Sequence, residues 1–257
     1  MIDNILYIFI AGIVQGLTEF LPISSSGHLI IVKELFNIDT KNIDLEIMLH
    51  LGTVFSIIFY YKKDLFKIIQ NIINNEENDK NFIYLLIIGC IPIGIFGIVF
   101  KNIIETEFAN IGFLPFTFIL TSLFLYSTKN SKPINSLSFK IVIIVSLMQI
   151  ITLLPGISRS GITIATLLIL GVNHKESIRF SFLMAIPLIL GATLLGVDFS
   201  SYTGQDLKFM LFGSVISFIF GLLAISATNN LIENKKYWLF SIYCFIISLF
   251  IFIWNNI

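Results

Sequence analysis

The sequence predicts an all-α, polytopic membrane protein. It should have six full transmembrane helices and two re-entrant helix-loop-helix hairpins, arranged as an inverted-topology repeat. Three observations carry that prediction. Charged residues make up 12% of the 257-residue chain and hydrophobic ones 56%, with a mean hydropathy of +0.92. A soluble domain carries about 25% charged residues, so this chain lacks the charge to face water all round. Apolar runs recur to the last residue, which points to one membrane domain over residues 1–257. Two of those runs are interrupted by polar and helix-breaking residues.

The first interruption comes at once. Apolar stretches at 5–20 and 29–36 flank "LPISSSGH". The second of them has about eight residues and would rise about 12 Å as a helix, against a hydrocarbon core near 30 Å. It cannot cross alone, so the pair reads as a hairpin that enters the bilayer and returns. Lys33 is the first basic residue, so the N-terminal run lacks the positive flank of a signal peptide and is expected to be part of the mature protein. Full spans follow at about 44–61, 82–100 and 111–127. Between the first two, "QNIINNEENDKN" (70–81) is expected to be an exposed loop. The pattern then repeats, with stretches at 141–154 and 161–172 around "LPGISRSG" and spans at about 178–196, 208–230 and 238–254. A hairpin returns to its own side, whereas three crossings change sides. The halves, about 1–130 and 137–257, should therefore be inverted relative to each other, with their broken elements meeting near the midplane.

Loop charge orients the chain. Four lysines (33, 41, 101 and 208) fall on the side shared by the termini. Eleven basic residues fall on the other: Lys62, Lys63, Lys67, Lys80, Lys129, Lys132, Lys140, Lys175, Arg179, Lys235 and Lys236. The basic side should be cytoplasmic, which puts both termini and the mouth of the first hairpin outside. With 16 basic and 16 acidic residues there is no net charge and no case for nucleic acid binding. Cys90 and Cys244 lie in apolar runs, without metal or disulfide spacing. Trp238 and Trp254 bracket the last span as interfacial anchors.

The polar tips carry the chemistry. Gln15 and Glu19, four apart, share a helix face, and a carboxylate inside a membrane marks function. Their oxygens suit a hard cation such as Mg²⁺ or Ca²⁺, with phosphate oxygens and water completing the shell. Ser24, Ser25 and Ser26 supply hydroxyls, and His28, three residues past Ser25, is the nearest base. His50 and His174 read as structural. In the second tip, Arg159 between Ser158 and Ser160, with Thr163 following, offers a guanidinium fork that matches phosphate oxygens. The helix beginning near Gly161 adds amide groups that favour an anion. Together the tips suit a phosphorylated ligand.

At these residues the chain resembles the undecaprenyl-diphosphate phosphatase family, membrane enzymes associated with bacitracin resistance. "QGLTEFLPISSSGHL" and "LPGISRSGITI" match its two signature motifs, and "FSFLMAIPLILGATLLG" is also similar. The matching positions are Gln15, Glu19, His28, Pro155, Gly156, Ser158, Arg159, Ser160 and Thr163; Gln15 stands where some members have Glu. The resemblance implies hydrolysis of undecaprenyl diphosphate to undecaprenyl phosphate and phosphate in a bacterial cytoplasmic membrane. It also implies a divalent cation, an inverted-repeat fold and a site open to the outer side. Glu19, with Gln15, would hold the cation, and Arg159 would neutralise developing charge. Ser25 is the expected nucleophile and His28 its base. Ser24 or Ser26, water, and His28 itself are the other candidates for the attacking group. Broken helices in inverted halves also fit a transporter or flippase of a phosphorylated polyprenyl lipid. "SSSGH" superficially resembles a motif of an unrelated lipid phosphatase class, but the histidine and aspartate that class needs after its Ser-Arg are missing.

Overall fold

The computed structural model describes residues 5–38, 43–108, 110–196 and 203–256. Its elements are α1 (Ile5–Phe20), α2 (Ser25–Leu35), α3 (Ile43–Tyr60), α4 (Lys62–Ile73), α5 (Glu77–Ile103), α6 (Leu114–Ser127), α7 (Phe139–Gln149), α8 (Arg159–Ile169), α9 (His174–Gly196), α10 (Gly204–Glu233) and α11 (Phe240–Trp254). Among the described residues the only extended pairing is one bridge, Asn135 to Val172. The protein is an all-helical, polytopic membrane protein. Five helical stretches are long and apolar enough to cross a bilayer: Glu77–Lys101, Ile111–Asn130, His174–Leu195, Gly204–Glu233 and Tyr237–Trp254. They match five of the six expected spans. The sixth is α3, whose 18 residues rise about 27 Å.

Both interrupted runs fold as helix, break, helix. α2 and α8 each have 11 residues, about 16 Å, half of a crossing. Each starts on a serine cap: Ser24 Oγ accepts from Gly27 N at 3.3 Å, and Ser158 Oγ from Gly161 N at 3.0 Å. The caps satisfy amides that lipid would leave unpaired. α2 begins at Ser25, so two of the serines expected in the loop lie in its first turn.

One expectation needs correcting. Residues 70–81 are not a loop: Gln70–Ile73 ends α4 and Glu77–Asn81 opens α5, leaving a turn of three residues. Asn74 ends one helix and the acids open the next, and Asn71 Nδ2 donates to Asp79 Oδ2 at 2.6 Å across the turn. α4 has Leu65, Ile68 and Ile72 on its inner side, packed on the core.

Helix contacts come in matched pairs. α1 packs on α10 as α7 packs on α5, and α3 packs on α10 as α9 packs on α5. α3 meets α9, and α6 meets α11. The match breaks at the short arms, since α8 packs on both α6 and α9 while α2 has no comparable contact with α11 or α3. Accordingly nine of eleven residues of α8 are buried but five of eleven in α2. The core between the halves is aromatic, with Phe20 edge-on to Phe182 at 5.2 Å. Cys244 is buried and Cys90 half-buried against the core, both as free thiols. Of the lysines used for orientation, Lys41 lies outside the described residues.

Candidate active site

The two breaks meet. Ser160 Oγ donates to the Glu19 carbonyl at 3.1 Å, and a Cβ on Gly27 would come 2.9 Å from Gly156 Cα. Only glycines let the two tips approach this closely. Gly156 has φ +90°, a conformation that suits glycine. Thr121 Oγ1 fixes this turn, donating to the Gly156 carbonyl at 3.1 Å and accepting from Ser158 N at 3.3 Å.

Glu19 sits at the centre. Its Oε1 accepts from Arg159 Nη2 at 2.6 Å. Its Oε2 accepts from Ser25 Oγ at 2.7 Å and from Gln15 Nε2 at 3.1 Å. Three predicted residues, Gln15, Ser25 and Arg159, thus share the Glu19 carboxylate, with Arg159 reaching it from 140 positions along the chain. The pair stands beside a cavity of about 360 Å³, whose polar wall includes Thr18, Glu19, Ser24, Ser25, Ser26, Glu46, His50, Thr152, Ser158 and Arg159. Ile93 of α5 and Leu188, Ile189 and Ala192 of α9 contribute to the apolar wall.

The other predicted residues fall into two groups. Ser24 and Ser158 line the cavity and cap their helices, and each hydroxyl lies 3.3 Å from that of Ser26 or Ser160. Ser24 does so with φ 69°, an unusual conformation for a side chain with a Cβ. Ser160 and Thr163 do not line the cavity but lie behind Arg159. Thr163 Oγ1 donates to the Arg159 carbonyl at 2.8 Å and lies 2.5 Å from Ser181 Oγ, while Arg159 Nη1 donates to the Ser181 carbonyl at 3.3 Å.

His28 is not brought to Ser25. Its Nδ1 lies 2.7 Å from the Ser24 carbonyl, which can only accept, so Nδ1 carries the proton. Nε2 is then free to accept from Tyr243 Oη, 2.7 Å away. The ring stacks on Tyr243 and meets Phe118 edge-on, outside the cavity wall.

The imidazole that does line the cavity is His50, which reads as structural in the sequence. Its Nδ1 donates to the Glu46 carbonyl at 2.7 Å and its Nε2 stands 3.6 Å from Glu19 Oε2. Glu46 pairs with Lys33 of α2. The signal for both was available: an acid and a histidine four apart on one face of a span. Ser181 and Tyr243 carry no such signal.

Among the described residues no group of three or more His, Cys, Asp or Glu could hold a metal. A dedicated protein cage is therefore not what these residues build. However, Gln15 Oε1 is buried without a partner beside Glu19, and Glu46 gives the cavity a second carboxylate. That fits Mg²⁺, which usually takes one or two carboxylates and completes its shell with phosphate and water.

Fold and site together define an integral membrane protein with a compact acid, hydroxyl and guanidinium centre where two half-helices meet. The chain belongs to the bacitracin resistance protein BacA family, whose model matches residues 8–250. It is 37% identical to an undecaprenyl-diphosphatase of Thermosipho melanesiensis over 96% of this chain and 98% of that protein. It is 36% identical to one of Thermosipho africanus, covering 95% and 97% of the two chains. A further undecaprenyl-diphosphatase, from Methanococcus maripaludis strain C5, is 38% identical over 94% and 97%.

Proposed function

We propose that this chain hydrolyses undecaprenyl diphosphate to undecaprenyl phosphate and inorganic phosphate, recycling the lipid carrier of wall polymers and conferring bacitracin resistance. The family and its relatives support that reaction. The observation that carries it to this site is the Glu19 carboxylate, held by Arg159 on one oxygen and by the Ser25 hydroxyl on the other.

The polyprenyl tail lies in the apolar phase and the diphosphate enters the cavity. Arg159 turns its fork to the phosphate oxygens and, with the first-turn amides of α8, neutralises charge as it develops. Ser25 Oγ attacks the terminal phosphorus. Its proton passes to Glu19, the group its hydroxyl already touches, and undecaprenyl phosphate leaves. Water then releases phosphate from Ser25 and Glu19 returns the proton. His28 holds the Ser24 carbonyl, the residue before the nucleophile; the base role expected of it requires its ring to leave Tyr243. A divalent cation would be held by Glu19 with Gln15, where it would neutralise phosphate charge.

The site lies in a bacterial cytoplasmic membrane and opens outward, with both termini outside. The lysine distribution supports this, as do the cavity walls, to which α3 contributes from its first half and α9 from its last half. The opposite end gathers the basic side: Lys175 pairs with Glu233, Arg179 with Asp64, and Asn229 with Tyr60. The matched contacts of α1, α3, α5 and α6 with α10, α9, α7 and α11 support two inverted halves of one membrane domain.

The test is phosphate release by purified protein in detergent, with undecaprenyl diphosphate and Mg²⁺, followed by trapping of a phosphopeptide. Phosphate release with label on Ser25 is expected. A transporter or flippase would release none, and near-normal turnover by Ser25→Ala would remove Ser25 from the nucleophile role.

A further inference from the structure

Helix α4 is not used by the proposed reaction. It lies at the basic end, away from the cavity, and carries two apolar faces. Leu65, Ile68 and Ile72 pack on the core. Phe66, Ile69 and Ile73 form a second stripe, spaced three and four apart, and are 61%, 56% and 74% exposed. Lys62, Lys63 and Lys67 are exposed on the same short helix. Its single acid, Asp64, is neutralised by Arg179, whose Nε and Nη2 donate to the two carboxylate oxygens at 2.7 and 3.0 Å. The helix is thus a cation whose only anion is already paired. Among the described residues no acid pairs with Lys63 or Lys67.

The surroundings are those of a bilayer surface. Tyr60 and Tyr61 meet edge-on at the α3–α4 junction, and Lys62 lies 4.1 Å over the Phe59 ring. At the same end, Lys129 lies 4.7 Å over the Trp238 ring and 5.7 Å over that of Tyr126. Aromatic rings with lysines beside them are the usual furniture of an interface. A helix with an apolar face and lysines on its polar side lies in the plane of such a surface.

We propose that α4 is an in-plane interfacial helix that binds anionic phospholipid headgroups through Lys63 and Lys67 while Phe66, Ile69 and Ile73 enter the acyl boundary. The Asp64–Arg179 fork joins α4 to α9, whose far half lines the cavity. The charge complementarity selects lipid over a second copy of the chain, because an α4–α4 contact would oppose like charges.

The test uses the full chain in nanodiscs of phosphatidylcholine alone or with phosphatidylglycerol. Bound phosphatidylglycerol is counted by native mass spectrometry, and Ile69→Cys is probed with a membrane-impermeant maleimide against the unmodified chain as background. Wild type should retain phosphatidylglycerol preferentially and Lys63→Gln/Lys67→Gln should lose about fivefold in that preference per lysine. Ile69→Cys should be shielded in the anionic discs and become reactive when both lysines are replaced. Thermal unfolding of each variant in detergent serves as the folding control. Unchanged lipid preference in the double variant, full reactivity of Ile69→Cys in anionic discs, or an Ile69→Cys disulfide between two chains would each overturn the proposal.

Discussion

The first and second tips are built alike and carry different groups. Residues 134 positions apart match along both breaks: Gln15 with Gln149, Thr18 with Thr152, Ser24 with Ser158, Ser26 with Ser160, and Gly27 with Gly161. The caps are alike, and both glutamines are fully buried with one oxygen unpartnered. Elsewhere they diverge, and two of the differences fall on the shared carboxylate site. Ser25 stands opposite Arg159, and Glu19 opposite Leu153. One tip therefore presents acid and hydroxyl, and its counterpart presents the cation. Their surroundings diverge too. α8 is locked between α6 and α9, whereas α2 stands at the rim with Leu35 61% exposed. The same half-helix start thus occurs twice, with the guanidinium on the more deeply packed arm and the acid and hydroxyl at the other tip.

That contrast is sharpest at the divergent positions. Glu19→Gln keeps a hydrogen-bonding shape but removes the charge that Arg159 faces and the acceptor for Ser25's proton. Phosphate release should fall by at least about 10³-fold, and Ser25→Ala should match it if the two act as a unit. The double variant should then cost little more than either alone; full additivity in turnover assays would separate the two roles. Arg159→Lys should cost about 10²-fold, since the charge stays but the fork does not. A lysine that works as well as arginine there would mean the second tip supplies only a point charge.

The scaffold can be probed where the tips touch. Gly27→Ala would set a Cβ 2.8 Å from Phe118 and 2.9 Å from Gly156 Cα. Gly156→Ala would add a Cβ to a turn at φ +90°, against Thr117. Each should lower stability by about 1–3 kcal/mol, read as thermal unfolding in detergent. Gly94→Ala, with nothing within 4 Å of the added carbon, is the control and should be neutral.

Spans and interrupted helices were legible because lipid forces long apolar runs and leaves breaks visible. The meeting of Glu19, Ser25 and Arg159 was legible because each is costly in a membrane unless used. Two things were not. Helix α4 is hidden because its lysines and the asparagines after it lower the apolar signal, although the period of Leu65, Ile68 and Ile72 is present. A spacing of three residues sets His28 near Ser25 in the sequence. The direction of its ring is decided instead by Tyr243, which arrives from a helix 215 residues later, and no local pattern records that arrival.

Tyr243 therefore gives the smallest but most specific test of the two tips. In the second tip the turn is held from within the scaffold, by Thr121 on the Gly156 carbonyl. In the first, the Ser24 carbonyl is held by His28, and His28 by Tyr243. Tyr243→Phe keeps the stacked ring and removes only the hydroxyl that donates to Nε2. If His28 positions the strained Ser24 turn, turnover should fall about tenfold with KM within twofold, because the alignment of Ser25 is lost and lipid binding is not. Stability should change by about 1 kcal/mol, the worth of one such hydrogen bond. If His28 instead swings into the cavity to act as base, freeing its ring from Tyr243 should raise turnover or leave it unchanged. The sign of that one change distinguishes a histidine that holds the tip from one that takes the proton.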